Sequence, residues 1–197
     1  NELTFSITSV GYAKKIIYRN KAKLNDDIYV SGNLGDSFIG LQILKRRLKV
    51  EKKIKDYFVQ KYFLPDIQIN LTKQLLNFAN SSIDVSDGII ADLEKMINKQ
   101  NLSYKLSVNK IPISKNLIKL IKSKKLKKLN MITNGDDYQV LFTANPSKSR
   151  IILNFSKNLG IKITKIGKIN SGTEKSSVIT QKGKQLLIKN KGYTHQF

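Results

Sequence analysis

The chain has no cysteine and few acidic residues. Without cysteine it forms neither disulfide bonds nor thiolate metal sites, and we expect a cytoplasmic protein. Its 197 residues include 36 lysines and arginines against 14 aspartates and glutamates, with a single histidine. No apolar run is long enough to cross a bilayer, which takes about 20 residues of helix. Because apolar residues make up 40% of the chain, we expect a packed core rather than wholesale disorder.

The formal net charge of +22 suggests a nucleic-acid partner, but the kind of basic residue argues against one. Only four of the basic residues are arginines, and the lysines are spread along the chain. Arginine supplies the planar fork that contacts phosphate or guanine through two hydrogen bonds, whereas lysine gives a diffuse positive field. We therefore expect the lysines to cover solvated surfaces, and a lysine-rich RNA-binding module is kept as an alternative.

The hydrophobic pattern predicts an α+β protein in which strands and helices alternate. The first strand is predicted over residues 3–10, and because nothing before it could pair with it, we expect this chain to be the later part of a longer protein. Further strands are predicted over 27–32, 82–85, 102–108, 138–144 and 161–169, with short ones over 177–180 and 185–188. Helices are predicted over 36–48, with Phe38, Leu41, Leu44 and Leu48 as the apolar face, and over 51–62, 67–79, 88–98, 114–128 and 146–160.

The segment Asp84-Val85-Ser86-Asp87-Gly88 places two carboxylates and a serine between a predicted strand and a predicted helix. Magnesium prefers hard oxygen ligands and usually shares them with substrate phosphates, so carboxylates at a strand end are candidate metal ligands. Backbone N–H groups at the start of the helix could also bind an anion. Taken alone, the segment is better explained by Ser86 or Asp87 acting as an ordinary helix cap.

Three other segments carry weaker signals. A second pair of carboxylates follows a glycine in Asn134-Gly135-Asp136-Asp137-Tyr138, which alone is typical of a turn that enters a strand. The turn Gly32-Asn33-Leu34-Gly35-Asp36 lacks the lysine and the spacing of a phosphate-binding P-loop. In the tail, His195 is more simply a solvated residue than a ligand, and Tyr193 either stacks on a ring or closes the core.

The combination of these segments is more specific than any one of them. In order along the chain they are residues 27–37, Ser82-Ile83-Asp84-Val85-Ser86-Asp87-Gly88, Gly135-Asp136-Asp137-Tyr138 and Gly192-Tyr193-Thr194-His195. This ordered set resembles the thiamine-monophosphate kinases, of the superfamily that includes aminoimidazole ribonucleotide synthetase and selenophosphate synthetase. The resemblance covers nearly the whole chain.

The resemblance implies a fold and a division of the chain. It implies the C-terminal α/β domain of the aminoimidazole ribonucleotide synthetase-like fold, a mixed sheet packed with helices, over residues 19–197. Residues 1–18 would then be the end of a truncated N-terminal ATP-binding domain, with one remnant strand. In the family, the earlier half of the protein also builds the interface of a homodimer.

The resemblance also implies an activity. Enzymes of this family transfer the γ-phosphoryl group of ATP to thiamine monophosphate, with several Mg²⁺ ions, and release thiamine diphosphate. The acceptor is itself a phosphate with a second pKa of about 6, so it needs no general base, and no catalytic residue is predicted. A sister ATP-dependent enzyme of the same superfamily, with another phosphate acceptor, is the main alternative.

The family's functional residues carry over onto positions that match its motifs. They are Asp84 and Asp87 for metal, Arg19 and Ser86 for ATP, and Asp136 and Tyr193 for the substrate. Several positions depart from the family pattern: Asn134 and Asp136 stand where glycine and glutamate are usual, Thr194 where aspartate is usual, and Asp66-Ile67-Gln68 follows Pro65 in place of a second proline and an arginine. The family's earlier aspartate clusters, which hold most of the Mg²⁺, have no counterpart in these residues. We therefore expect the chain by itself to be catalytically incomplete.

Overall fold

The computed structural model describes residues 5–193, and within them six strands form one sheet. The strands are β1 (Asp27–Ser31), β2 (Ala79–Asp84), β3 (Leu102–Ser107), β4 (Val140–Ala144), β5 (Ile163–Ser171) and β6 (Ser177–Ile179). The helices are α1 (Asp36–Leu44), α2 (Lys52–Phe63), α3 (Ile69–Thr72), α4 (Ile89–Ile97), α5 (Lys115–Lys124), α6 (Lys128–Ile132) and α7 (Ser149–Leu159). No helix within this range is long and apolar enough to cross a membrane.

The sheet is mixed, as the family resemblance implied. Its strand order is β2-β4-β1-β5-β3-β6, and every neighbouring pair is antiparallel except β3 and β6, which run parallel. The alternating order of strands and helices confirms the predicted α+β class. Most predicted strands and helices lie close to their expected bounds. The exceptions are segments whose structure depends on packing against distant parts of the chain, which the local sequence pattern does not show.

Alternate residues of the central strands face two different hydrophobic cores. In β1, Ile28 and Val30 pack into a cluster that contains the apolar face of α4, including Leu93. Tyr29 points the other way, into a cluster that includes Ile152 of α7, and its ring stacks on Phe142 of β4 at 5.2 Å between centroids. The side-chain period of two along a strand therefore gives the sheet helices on both faces.

The predicted strand over residues 3–10 is wrong for its described part. Residues 5–10 form no strand, and the side chains of Phe5 and Ile7 are 81% and 93% exposed. A strand forms only where a neighbouring strand supplies hydrogen-bond partners, and the six-stranded sheet has none for this segment. Residues 3 and 4 lie outside the described residues.

The first helix buries a different face from the predicted one. It ends at Leu44 rather than Leu48, and Leu44 is exposed. The buried apolar side chains are Ile39 and Ile43, which pack in one cluster with Phe58 of α2, while Phe38 and Leu48 of the predicted face pack against this cluster only partly buried. Several apolar residues in this stretch could have formed the inner face, and the position of α2 selects which of them is buried.

Three other elements are shorter than the pattern predicted. The helix predicted over 67–79 divides into α3 and a single 3₁₀ turn. The helix predicted over 114–128 divides into α5 and α6, because Lys125 adopts a left-handed conformation with φ of 52° and ends α5. The strand predicted over 185–188 is reduced to one isolated bridge at Gln185.

Candidate functional site

Two of the predicted segments pack directly against each other. We call residues 84–88 the carboxylate loop and residues 134–138 the adjoining loop. The N–H of Asp136 donates to the carbonyl of Ser86, and the N–H of Tyr138 donates to the carbonyl of Val85, both at 2.9 Å. A Cβ at position 135 would collide with the Ser86 carbonyl, so glycine at 135 is what allows the loops to approach.

The C-terminal strap, residues 189–193, lies against the other side of the carboxylate loop. The N–H of Tyr193 donates to the carbonyl of Asp87 at 2.8 Å, and the N–H of Ala91 donates to the carbonyl of Lys191 at 2.9 Å. Gly192 has no room for a side chain, because a Cβ there would meet Ala91 and the Asp87 carbonyl. These bonds fix the backbone of Tyr193 beside that of Asp87.

A buried carboxylate brings in the fourth segment. Asp137 accepts a hydrogen bond from the N–H of Gly35, at 2.8 Å, and the nearby N–H of Ser37 also favours its charged form. Burial raises the pKa of Asp137 well above its usual value, although these N–H groups oppose the shift. Asp137 therefore fastens the start of α1 to the adjoining loop, and all four segments of the sequence motif converge.

The carboxylate loop is folded around a residue that the sequence reasoning missed. Asp92, in the first turn of α4, is fully buried. Its Oδ2 accepts hydrogen bonds from the N–H groups of Ser86, Asp87 and Gly88, at 3.0, 3.0 and 3.1 Å. The N–H groups expected to receive an external anion are thus already satisfied within the chain. The available signal was the position of Asp92, three residues after Ile89 on the apolar face of α4.

Lys95 is a second site residue that the sequence reasoning missed. Its Nζ pairs with Oδ2 of Asp87 and, at 2.7 Å, with Oδ1 of Asp92. Burial lowers the pKa of Lys95, but the hydrogen bonds to Asp87 and Asp92 outweigh this and leave the pKa above its usual value. The loop therefore holds a fixed positive charge between two carboxylates.

The carboxylates of the two loops share one electrostatic environment. Burial raises the pKa of Asp136, and the nearby charge of Asp87 raises it further, while Lys45 opposes the shift. Burial also raises the pKa of Tyr138, with smaller contributions from Asp136 and Asp84. Asp136 and Tyr138 both adopt left-handed backbone conformations, with φ of 67° and 49°, which non-glycine residues adopt mainly at turns and functional sites.

Five of the six predicted site residues lie in this cluster. They are Asp84, which is exposed at the end of β2, the partly buried Ser86, Asp87 and Asp136, and Tyr193, which is exposed. The sixth, Arg19, lies on the segment before β1, and its exposed side chain makes no hydrogen bond or ion pair with residues 5–193. Thr194 and His195 lie outside the described residues.

The oxygen donors of the carboxylate loop suit a hard divalent cation, but they form only part of a ligand set. In the described part of the chain, no group of three histidine, cysteine, aspartate or glutamate side chains is placed to hold a metal ion. Asp84 and Asp87 could therefore contribute two carboxylates, with the remaining ligands coming from phosphate oxygens, water or residues elsewhere. Magnesium commonly binds in this way, through one or two carboxylates and substrate phosphates.

Two cavities adjoin the site and share Lys189 and Asn190 of the strap. The larger, about 890 Å³, lies between the strap and the residues before the adjoining loop, such as Thr133, together with Asn134 at the start of that loop. The smaller, about 590 Å³, lies between the strap and α4, and Tyr193 lines it. The site thus has space for a ligand on the side of the strap that faces the adjoining loop.

The chain is similar in sequence to thiamine-monophosphate kinases over nearly its whole length. It is 33% identical to that of Buchnera aphidicola subsp. Acyrthosiphon pisum, over 98% of this chain and 60% of the relative. It is 32% identical to that of Escherichia coli strain K12, over 92% of this chain and 55% of the relative. The chain therefore spans between half and two thirds of the length of these curated relatives. No protein-family model matches it.

Solved structures agree with this result. The thiamine-monophosphate kinase of Stenotrophomonas maltophilia matches 86% of this chain with a TM-score of 0.74 and 26% identity, over 54% of its own chain. The structure of AaThiL complexed with AMPPCP and TMP matches 91% with a TM-score of 0.74 and 27% identity, also over 54% of its own chain. Escherichia coli HypE shares the fold, with a TM-score of 0.63 over 88% of this chain and 52% of its own, at 15% identity. The aminoimidazole ribonucleotide synthetase-like fold predicted from the sequence is confirmed.

Proposed function

We propose that this chain, a homologue of the thiamine-monophosphate kinases, acts in the ATP-dependent phosphorylation of thiamine monophosphate to thiamine diphosphate. The observation that carries the proposal is the convergence of the four motif segments around the carboxylate loop. These segments are far apart in sequence, yet backbone hydrogen bonds join the carboxylate loop to the adjoining loop and to the strap, and the Asp137 side chain joins the adjoining loop to the start of α1. The solved relative complexed with AMPPCP and TMP supports the same pair of ligands, an ATP analogue and the acceptor.

In this proposal the carboxylate loop binds the metal and the nucleotide. Asp84 and Asp87 hold Mg²⁺, which neutralises charge on the phosphate oxygens during transfer. Ser86 contacts ATP through its side chain, since its N–H is already bound by Asp92. Arg19 contacts ATP from its exposed position before β1.

The acceptor is assigned to the adjoining loop and the strap. The carboxylate of Asp136 accepts hydrogen bonds from the aminopyrimidine of thiamine, and the ring of Tyr193 offers a π-face to the thiazolium cation. Tyr193 lines the cavity of about 590 Å³, which is large enough for a ligand of this class. Aspartate is one methylene shorter than glutamate. The carboxylate of Asp136 therefore lies closer to its own backbone than the carboxylate of the family's usual glutamate would.

For this reaction the main task of the protein is to position the two ligands, and proton transfer by a side chain is not needed. The acceptor phosphate is largely ionised near pH 7, because its second pKa is about 6, and it attacks without a general base. What remains is to hold two polyanions in line and to reduce their repulsion. Fixed loops with pre-arranged carboxylates suit that task.

The remaining parts of the proposal follow the family resemblance. We propose Mg²⁺ as the metal, a homodimer as the working assembly and the cytoplasm as the location. We also propose a domain boundary between residues 18 and 19, within the exposed segment before β1. Light scattering during size-exclusion chromatography of the protein that the gene encodes tests the dimer.

The activity is tested by a product assay. The protein that the gene encodes is incubated with ATP, Mg²⁺ and thiamine monophosphate, and thiamine diphosphate is measured by chromatography after oxidation to its fluorescent thiochrome. We expect product that depends on both ATP and Mg²⁺. A protein that leaves thiamine monophosphate unchanged but consumes ATP with a phosphorylated aminoimidazole precursor would instead be the sister enzyme.

A further inference from the structure

We propose that Lys95 is a built-in counter-cation of Asp87, and that a divalent cation must displace it to bind. Asp92 retains Lys95 after the displacement, so the lysine gives up one of its two carboxylates and stays paired with the other. The inference rests on the proposed function only in taking Asp87 as a metal ligand. It concerns how tightly the cation binds, and not which acceptor is phosphorylated.

The first step is that Lys95 occupies the position a cation would take. Its Nζ pairs with Oδ2 of Asp87, one of the two oxygens that this carboxylate offers. An ammonium group and a metal ion cannot bind the same lone pairs, and two cations close together repel each other. Metal binding at that oxygen therefore requires Lys95 to withdraw.

The second step is that the two partners of Lys95 differ in burial. The side chain of Asp92 is 0% exposed and that of Asp87 is 18% exposed, while the side chain of Lys95 is 39% exposed. The pair with Asp87 lies toward solvent, where a metal arrives, and the pair with Asp92 lies inside. The geometry thus makes Asp87 the exchangeable partner.

The third step is that Asp92 is held in place by groups other than Lys95. Its Oδ2 accepts three backbone N–H groups of the carboxylate loop, while Lys95 pairs with the other oxygen, Oδ1. These three donors hold the Asp92 carboxylate in place. Lys95 can therefore release Asp87 and keep one full ion pair, which lowers the cost of the exchange.

The consequence is that Lys95 weakens the intrinsic affinity for a divalent cation and keeps Asp87 in position when no metal is bound. In a partly exposed site, the repulsion between the ammonium and the metal is only partly screened by water. Replacing Lys95 by methionine, which has a similar length and no charge, is expected to tighten cation binding about tenfold.

The test measures Mn²⁺ binding to the protein alone, without nucleotide or acceptor, by the electron paramagnetic resonance signal of free Mn²⁺. We compare wild type, Lys95→Met, Lys95→Arg and the control Lys99→Met. Lys99 follows α4, and its side chain makes no hydrogen bond or ion pair with residues 5–193. We expect about tenfold tighter binding for Lys95→Met alone, with the arginine and Lys99 variants close to wild type.

A second comparison ties the effect to Asp87. In an Asp87→Asn background the Lys95→Met change is expected to have no effect on Mn²⁺ affinity, because the contested oxygen has lost its charge. Equal or weaker binding by Lys95→Met, or no Mn²⁺ binding by any variant, would overturn the inference. The assay contains no thiamine compound, so a failure of the proposed kinase activity would be seen separately, in the product assay.

Discussion

The carboxylate loop and the segment that carries Arg19 are assigned to the same nucleotide, yet the structure positions them in opposite ways. The carboxylate loop is hydrogen-bonded to the adjoining loop and to the strap, and the buried carboxylate of Asp92 accepts hydrogen bonds from its N–H groups. Over the segment before β1, side chains such as Tyr12 and Arg19 are exposed. The loop is therefore organised before any ligand binds, whereas no hydrogen bond or ion pair within residues 5–193 holds the side chain of Arg19.

The largest expected effect is a loss of folding stability when the carboxylate loop loses its buried acceptor. Replacing Asp92 with alanine leaves three N–H groups of the carboxylate loop without a buried acceptor and Lys95 with one partner fewer. We expect a loss of about 3–5 kcal/mol in the free energy of unfolding, measured by urea denaturation. Asp92→Asn keeps an acceptor oxygen and should cost less. Equal, small losses for both variants would show that the loop does not depend on this carboxylate.

The next effect concerns the strap. Removing the ring of Tyr193 by substitution with alanine is expected to raise KM for thiamine monophosphate about tenfold, while KM for ATP stays near its wild-type value. The backbone bond to Asp87 does not need the ring, so the loop should keep its shape. A change confined to ATP would contradict the assignment of Tyr193 to the acceptor.

A smaller effect tests the bond between the start of α1 and the adjoining loop. Because burial raises the pKa of Asp137 in the folded state, the folded protein holds a proton there that the unfolded chain releases above pH about 4. Stability from this group is present at low pH and is lost as the pH rises toward the raised pKa. The free energy of unfolding of wild type should therefore fall relative to Asp137→Asn between pH 4.5 and 7.5. A difference that is constant or grows over this range would contradict the raised pKa.

The smallest effect is expected at Arg19. Its side chain makes no hydrogen bond or ion pair with residues 5–193, so Arg19→Ala should leave the melting temperature unchanged. An exposed ion contact with phosphate contributes little binding free energy. We therefore expect its loss to raise KM for ATP only about threefold, or ~0.7 kcal/mol. Tyr18→Ala, one residue earlier on the same exposed segment, serves as the control. A drop in melting temperature for Arg19→Ala alone would mean that the residue is structural.

The local hydrophobic pattern was enough to predict strands and helices whose own residues show a clear apolar run or helical spacing. The short apolar run of Ile28, Tyr29 and Val30 before a turn predicts β1 as a buried strand, and the helical spacing of Ile89 and Leu93 predicts the buried face of α4. The ordered motif also predicted which distant segments belong together. These predictions succeeded because side-chain period and motif order are properties of the sequence itself.

The features that sequence reasoning missed depend on neighbours distant in the chain. Asp92 resembles an ordinary acidic residue in the first turn of a helix, and only the fold reveals that the carboxylate loop wraps around it. Lys95 is one of many lysines, and nothing local distinguishes the one that pairs with Asp87. The strand predicted over 3–10 failed over residues 5–10 because alternation predicts a strand without supplying its partner.

The most direct test of the central claim is the turnover of Asp87→Asn. Asparagine keeps the size of the side chain and loses the charge that would bind Mg²⁺ and pair with Lys95. With saturating ATP, Mg²⁺ and thiamine monophosphate, we expect the rate of thiamine diphosphate formation to fall by about 100-fold or more, with the fold retained by circular dichroism. A variant that turns over at the wild-type rate would remove Asp87 from the metal site and contradict the account.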